Sequence, residues 1–150
     1  MAKFKFKFQS ILNIKASLEE QQKLAFAAAR KHLDDEEERL NELYKRKAGY
    51  EEEGRMMRNN ALVVRDICDN ETAIVRIMEY IDEQTRAVKK AEDDLEEERL
   101  KLVDAMRERK TYEKLRERAF DEFVRDLNHT ESLENDEHNS YVYGTAGNGE

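Results

Sequence analysis

A chain of 150 residues is long enough for one compact domain, but its composition argues against a globule. Charged residues make up 41% of it and hydrophobic ones 39%; Trp and Pro are absent, and Gly49 and Gly54 are the only glycines before Gly144. That composition belongs to long helices, and it excludes a large core, a sheet-based enzyme and a membrane span. The net charge of -8 disfavours nucleic acid, where a basic face supplies most of the affinity.

The charge is uneven. Residues 1–31 carry a balance of +5 and residues 121–150 a balance of -7, so the two ends would attract if the chain folded back on itself. Cys68 is the single cysteine and has no internal partner, which suits a reducing compartment. The basic start has no apolar stretch or cleavage site of a secretory signal. The two glycosylation sequons, at Asn70 and Asn128, carry no weight in a cytosolic chain.

Along the chain, residues 3–8 (KFKFKF) alternate with a period of two, as a strand would. Phe4 and Phe8 are also one helical turn apart and lead into Ile11, so a helix or an unstructured lead-in is expected here. Lys3, Lys5 and Lys7 give only weak support to a membrane-surface role on so acidic a protein.

The first arm follows. Ile11, Ile14, Leu18, Gln21, Ala25, Ala29, Leu33, Glu36, Leu40 and Leu43 are spaced by threes and fours. An extra step of four near Ala25 predicts a stutter that locally unwinds a supercoil. Gly49, Gly54, Asn59 and Asn60 predict a turn within residues 50–62, since glycine favours helix ends and Asn favours N-caps.

The second arm has the cleaner period. Ile67, Ile74, Ile81, Val88, Leu95 and Leu102 occupy one heptad position, followed by Arg109, Arg116 and Phe123. Six apolar residues in succession there mark a coiled-coil seam. Ile77, Ala91, Ala105, Tyr112 and Ala119 flank it three residues on; Met78, Met106, Phe120 and Leu127 flank it four residues on.

The predicted fold is all-α, a long antiparallel two-helix coiled-coil hairpin over residues 1–132 with arms at about 8–50 and 62–132. Residues 133–150 are expected to be an acidic, disordered tail. Folding about residue 58 would set Phe8 opposite roughly Glu108. Phe120, Phe123 and Leu127 would then overhang with little of their own chain to cover them.

No phosphate loop, cysteine pair or HExxH motif is present, so catalysis, cofactors and metals are not expected. His138 lies near Glu134, Asp136 and Glu137, but a solvated acidic segment explains that cluster better than a metal site does. Acidic runs such as residues 34–38 and 51–53 read as solvated helix faces.

The Lys/Phe alternation followed by residues 9–15 (QSILNIK) resembles the start of flagellar FliJ proteins. Residues 107–118 (RERKTYEKLRER), Phe120, and the late Asp136 and Glu137 resemble later parts of that family, and the likeness runs to about residue 140. The resemblance implies a non-enzymatic, cytoplasmic component of the bacterial flagellar type III export apparatus, peripheral at the inner face of the cell membrane. Such a stalk binds the export ATPase ring, promotes its assembly and activity, and contacts the export gate and the export chaperones. The implied gate surface falls on Leu43, Tyr50, Ala73, Ile77, Tyr80 and Gln84. Arg39 and Arg46 stand where Gln and Tyr would be expected, which changes its polarity. Phe120 and Phe123 are the candidate anchors for the ring, on physical grounds alone. The alternatives are a stalk of a virulence type III secretion system and a structural coiled-coil dimer with no ATPase partner.

Overall fold

The structure, a computed structural model, describes residues 2–61 and 63–147. It is an all-α hairpin of two helices, α1 (Gln9–Asn59) and α2 (Val64–Ala146), with no strand among the described residues. The break falls at residues 60–63, the far end of the predicted window. Gly49 and Gly54 do not end α1; both lie inside it. Gly54 is buried for a packing reason: a Cβ there would stand 2.6 Å from Asn70 Oδ1.

Two compact units divide the chain, Met1–Glu19 with Ala105–Glu150 (unit 1) and Glu20–Asp104 (unit 2). Each pairs a stretch of α1 with a stretch of α2.

In unit 2 the predicted seam of α2 is inward. Ile77, Ile81, Val88 and Ala91 are buried, and Leu33, Leu40 and Leu43 of α1 are half-buried. Three polar layers interrupt the apolar ones. Gln22 Nε2 donates to the Glu98 carbonyl at 3.2 Å and to its carboxylate. Gln84 Nε2 does the same to Glu36, with the carbonyl at 2.9 Å. Asn70 Nδ2 donates to the Tyr50 carbonyl at 2.8 Å. The α1 members, at 22, 36 and 50, ascend by two heptads while their partners at 98, 84 and 70 descend by two. Polar groups at seam positions fix register, because a shifted pairing leaves them buried without partners.

Unit 1 corrects the predicted phase of the first arm. Leu12 and Glu19 are buried and Lys15 is half-buried, whereas Ile11, Ile14 and Leu18 are exposed, Ile14 by 58%. The inward row begins at Leu12, and in unit 2 Gln22, Phe26, Ala29 and Leu33 keep to threes and fours, so there is no stutter at Ala25. Ion pairs across the helices select this phase over the more apolar one. Glu19 meets Arg109, and Lys15 Nζ lies 2.8 Å from Glu108. Arg109 also reaches Glu113 at 2.7 Å; Glu113 and then Glu19 raise its pKa above the ordinary guanidinium value, as the Glu108 hydrogen bond raises that of Lys15.

Of the two forms expected for the N-terminal segment, the non-helical lead-in is the one present. Residues 2–6 are not helical, and burial alternates, with Phe4, Phe6 and Phe8 half-buried and Lys3, Lys5 and Lys7 exposed. The Phe4 ring lies 5.3 Å from Phe120 and 5.6 Å from Phe123, and Phe8 lies 6.4 Å from Tyr112 rather than opposite Glu108. The Arg116 guanidinium sits 5.5 Å from the Phe4 ring, and its Nε donates to Gln9 Oε1 at 3.1 Å. Extended chain advances about 3.3 Å per residue against about 1.5 Å in a helix. The few residues from Phe8 back to Phe4 therefore match the stretch of α2 from Tyr112 to Phe120. Phe120 and Phe123 do not lack cover from their own chain; Phe4 supplies part of it.

Beyond residue 132, α2 continues as helix to Ala146, with every described residue from Arg125 onward exposed. No Pro breaks this stretch and no Gly precedes Gly144, so nothing local ends the helix earlier.

Candidate functional site

The six residues expected at a gate surface come together in unit 2. A hollow of about 340 Å³ is lined by Arg46, Tyr50, Asp69, Thr72, Ala73, Arg76, Ile77 and Tyr80. A second, of about 500 Å³, is lined by Leu43, Arg46, Tyr80, Glu83, Gln84 and Ala87. Arg46 from α1 and Tyr80 from α2 line both, so the two hollows share a lip. Helical spacing explains the α2 side: positions 69, 73, 76 and 80 fall on one face.

The six differ in what they offer. Ile77 is 5% exposed and belongs to the core. Gln84 is committed to Glu36, and Leu43, Tyr50 and Ala73 are half-buried. Tyr80 is 56% exposed, and Arg46 is exposed beside it. A partner would meet Tyr80 and Arg46 first and the other five only at the floor. Arg39, the other departure from the expected pattern, bonds the Glu36 carboxylate of its own helix at 3.0 Å. Asp69, Thr72 and Arg76 were not anticipated, although they lie within one turn of Ala73 and Ile77.

In unit 1, Phe120 remains 46% exposed while Phe123 is half-buried. A hollow of about 500 Å³ runs beside the N-terminal segment, with Leu115, Ala119 and Phe123 among its lining and Glu122 and Asp126 at its edge. Both units offer surfaces suited to holding a partner by shape and charge. Among the described residues no three His, Cys, Asp or Glu side chains cluster as metal ligands, and no helix is long and apolar enough to cross a membrane.

A family model described as "Flagellar FliJ protein" matches residues 4–148. A solved structure of a protein from Chlamydia trachomatis, described as a YscO homolog, has a TM-score of 0.62 and 16% sequence identity over 99% of this chain and 100% of that one. At that identity the likeness speaks for the fold. No curated protein matches the sequence.

Proposed function

The chain belongs to the flagellar FliJ family, non-enzymatic stalk proteins of type III export, and from that premise we propose that it works by holding two partners on its two units. Unit 1 engages the ring of the export ATPase through Phe120, with Phe123 behind it. The groove of unit 2 engages the cytoplasmic part of the export gate, with Tyr80 and Arg46 at the lip and Leu43, Tyr50, Ala73, Ile77 and Gln84 beneath. Export chaperones are further partners, and the site of action is the cytoplasm at the inner face of the cell membrane.

The observation that carries this reading is the family match over nearly the whole chain. It is supported in unit 2 by the convergence of the six residues on two adjoining hollows. One asymmetric chain can touch only some subunits of a symmetric ring at once, so it biases their conformational equilibria unequally, and that difference is what can promote assembly and turnover.

ATP hydrolysis by the flagellar export ATPase of the same bacterium, titrated with the purified protein, tests the ring contact. The expected result is a saturable rise near about one chain per six ATPase subunits, the stoichiometry of one asymmetric effector in a six-fold ring. Phe120→Ala should weaken that rise with helix content unchanged. Phe120→Ala and Phe123→Ala each lose a ring packed on Phe4, so either should also loosen residues 2–8. No rise with an ATPase able to form its ring would remove the mechanism.

A further inference from the structure

We propose that the N-terminal segment is an acceptor strand: an extended segment of a partner protein, with apolar and acidic residues in alternation, adds alongside residues 3–7 and seats its apolar side chains in the adjoining hollow.

Four observations in unit 1 converge on this. The segment already alternates as a strand does, with Phe4, Phe6 and Phe8 half-buried, Phe4 and Phe8 against rings of α2, and Lys3, Lys5 and Lys7 exposed. Its backbone is open: among the described residues, the only main-chain hydrogen bond made by residues 2–7 is the one the Phe6 carbonyl accepts from Gln9 N–H at 3.2 Å. In an extended chain the N–H and C=O groups of successive residues point to opposite edges, so both edges of this one are free to pair. Beside it lies the hollow of about 500 Å³, and its short Ala119 leaves room for an incoming side chain over Leu115 and Phe123.

Charge selects the occupant. Lys3, Lys5 and Lys7 are exposed, border the hollow and make no ion pair among the described residues, while Lys7 Nζ lies 5.3 Å from the Phe8 ring. Acidic residues at the outward positions of an added strand would stand across from them, and opposite charges on neighbouring strands attract. Glu122 and Asp126 border the same hollow, so the side chains seated in it are apolar and the acidic residues of the added strand keep to the lysine side. Phe4 and Phe8 hold the segment against α2 before any partner arrives, which lowers the ordering cost of strand addition.

The test uses the full chain and a fluorescein-labelled peptide, acetyl-Glu-Val-Glu-Val-Glu-Val-Glu-amide. The expected result is saturable binding, with backbone amide exchange slowed at least tenfold at every second residue within 3–7. Reversing the charges in the variant K3E/K5E/K7E should weaken binding at least tenfold and shift preference to the matching Lys-Val peptide. Ala119→Leu, which fills the hollow, should weaken it as much with helix content unchanged. No saturable binding would overturn the proposal, as would binding without alternate-residue protection, which would reveal charge attraction alone. Binding of vesicles rich in anionic lipid in place of the peptide would assign the lysines to a membrane and overturn it equally.

Discussion

Gly49 and Gly54 sit in the same helix, yet a methyl group would act oppositely at each. At Gly49 nothing lies within 4 Å of an added Cβ, so Gly49→Ala gains only helix propensity, about 1 kcal/mol. At Gly54 the added carbon would meet Asn70 Oδ1, and Asn70 cannot yield without giving up the Tyr50 carbonyl. Gly54→Ala should therefore lose about 1–3 kcal/mol in spite of the better propensity. Urea midpoints moving the same way for both variants would refute this account of Gly54. Tyr80 and Gln84 form a second informative pair. Tyr80→Ala removes an exposed ring and should leave the midpoint unmoved while reducing binding to the cytoplasmic part of the gate. Gln84→Ala leaves buried polar groups of Glu36 short of a partner and should cost about 1–3 kcal/mol. Gate binding untouched by Tyr80→Ala would discard the lip of the groove as a contact.

Among the elements, α2 was the more legible. Its seam from Ile67 to Leu102 is apolar at every heptad step, so periodicity alone orients it. The first arm offers two competing rows, Ile11/Ile14/Leu18 and Leu12/Lys15/Glu19, rotated by one residue. Hydropathy ranks the first higher, but the decision belongs to Arg109 and Glu108, which lie some 90 residues away in sequence and across the interface in space. The period of two in residues 3–8 was equally visible; what a local pattern could not reveal was the α2 surface that keeps them extended. The six residues along the hollows of unit 2 were named from family resemblance and not from any local pattern, and the engagement of Gln84 by Glu36 depends on a register no single helix contains. At the other end of α2, exposure from Arg125 to Ala146 leaves that helix without packing support. Isolated helices of such length are marginal in water. Residues 133–146 should accordingly show almost no amide protection, and truncation after Ser132 should shift stability by less than about 0.5 kcal/mol. Slow exchange throughout that stretch would mean that something covers it.

For the whole molecule, each unit satisfies its seam within one chain, so the mass in solution should be 17.8 kDa. A stable species of twice that mass would favour pairing between chains and revive the structural dimer. The three polar layers of unit 2 also carry a mechanical consequence. Sliding one helix past the other by a heptad would set the Glu36 carboxylate against Ile77 and Gln84 against Ala29 in one direction, or Glu36 against Ala91 and Gln84 against Leu43 in the other. Neither displaced position offers a partner across the interface; Glu36 keeps Arg39 of its own helix but loses Gln84, and leaving such buried groups short of a hydrogen bond costs about 1–3 kcal/mol per layer. The layers therefore act as teeth in a keyway. Load applied along one helix of this unit passes to the other at constant alignment, and the pair will bend or twist before it shears.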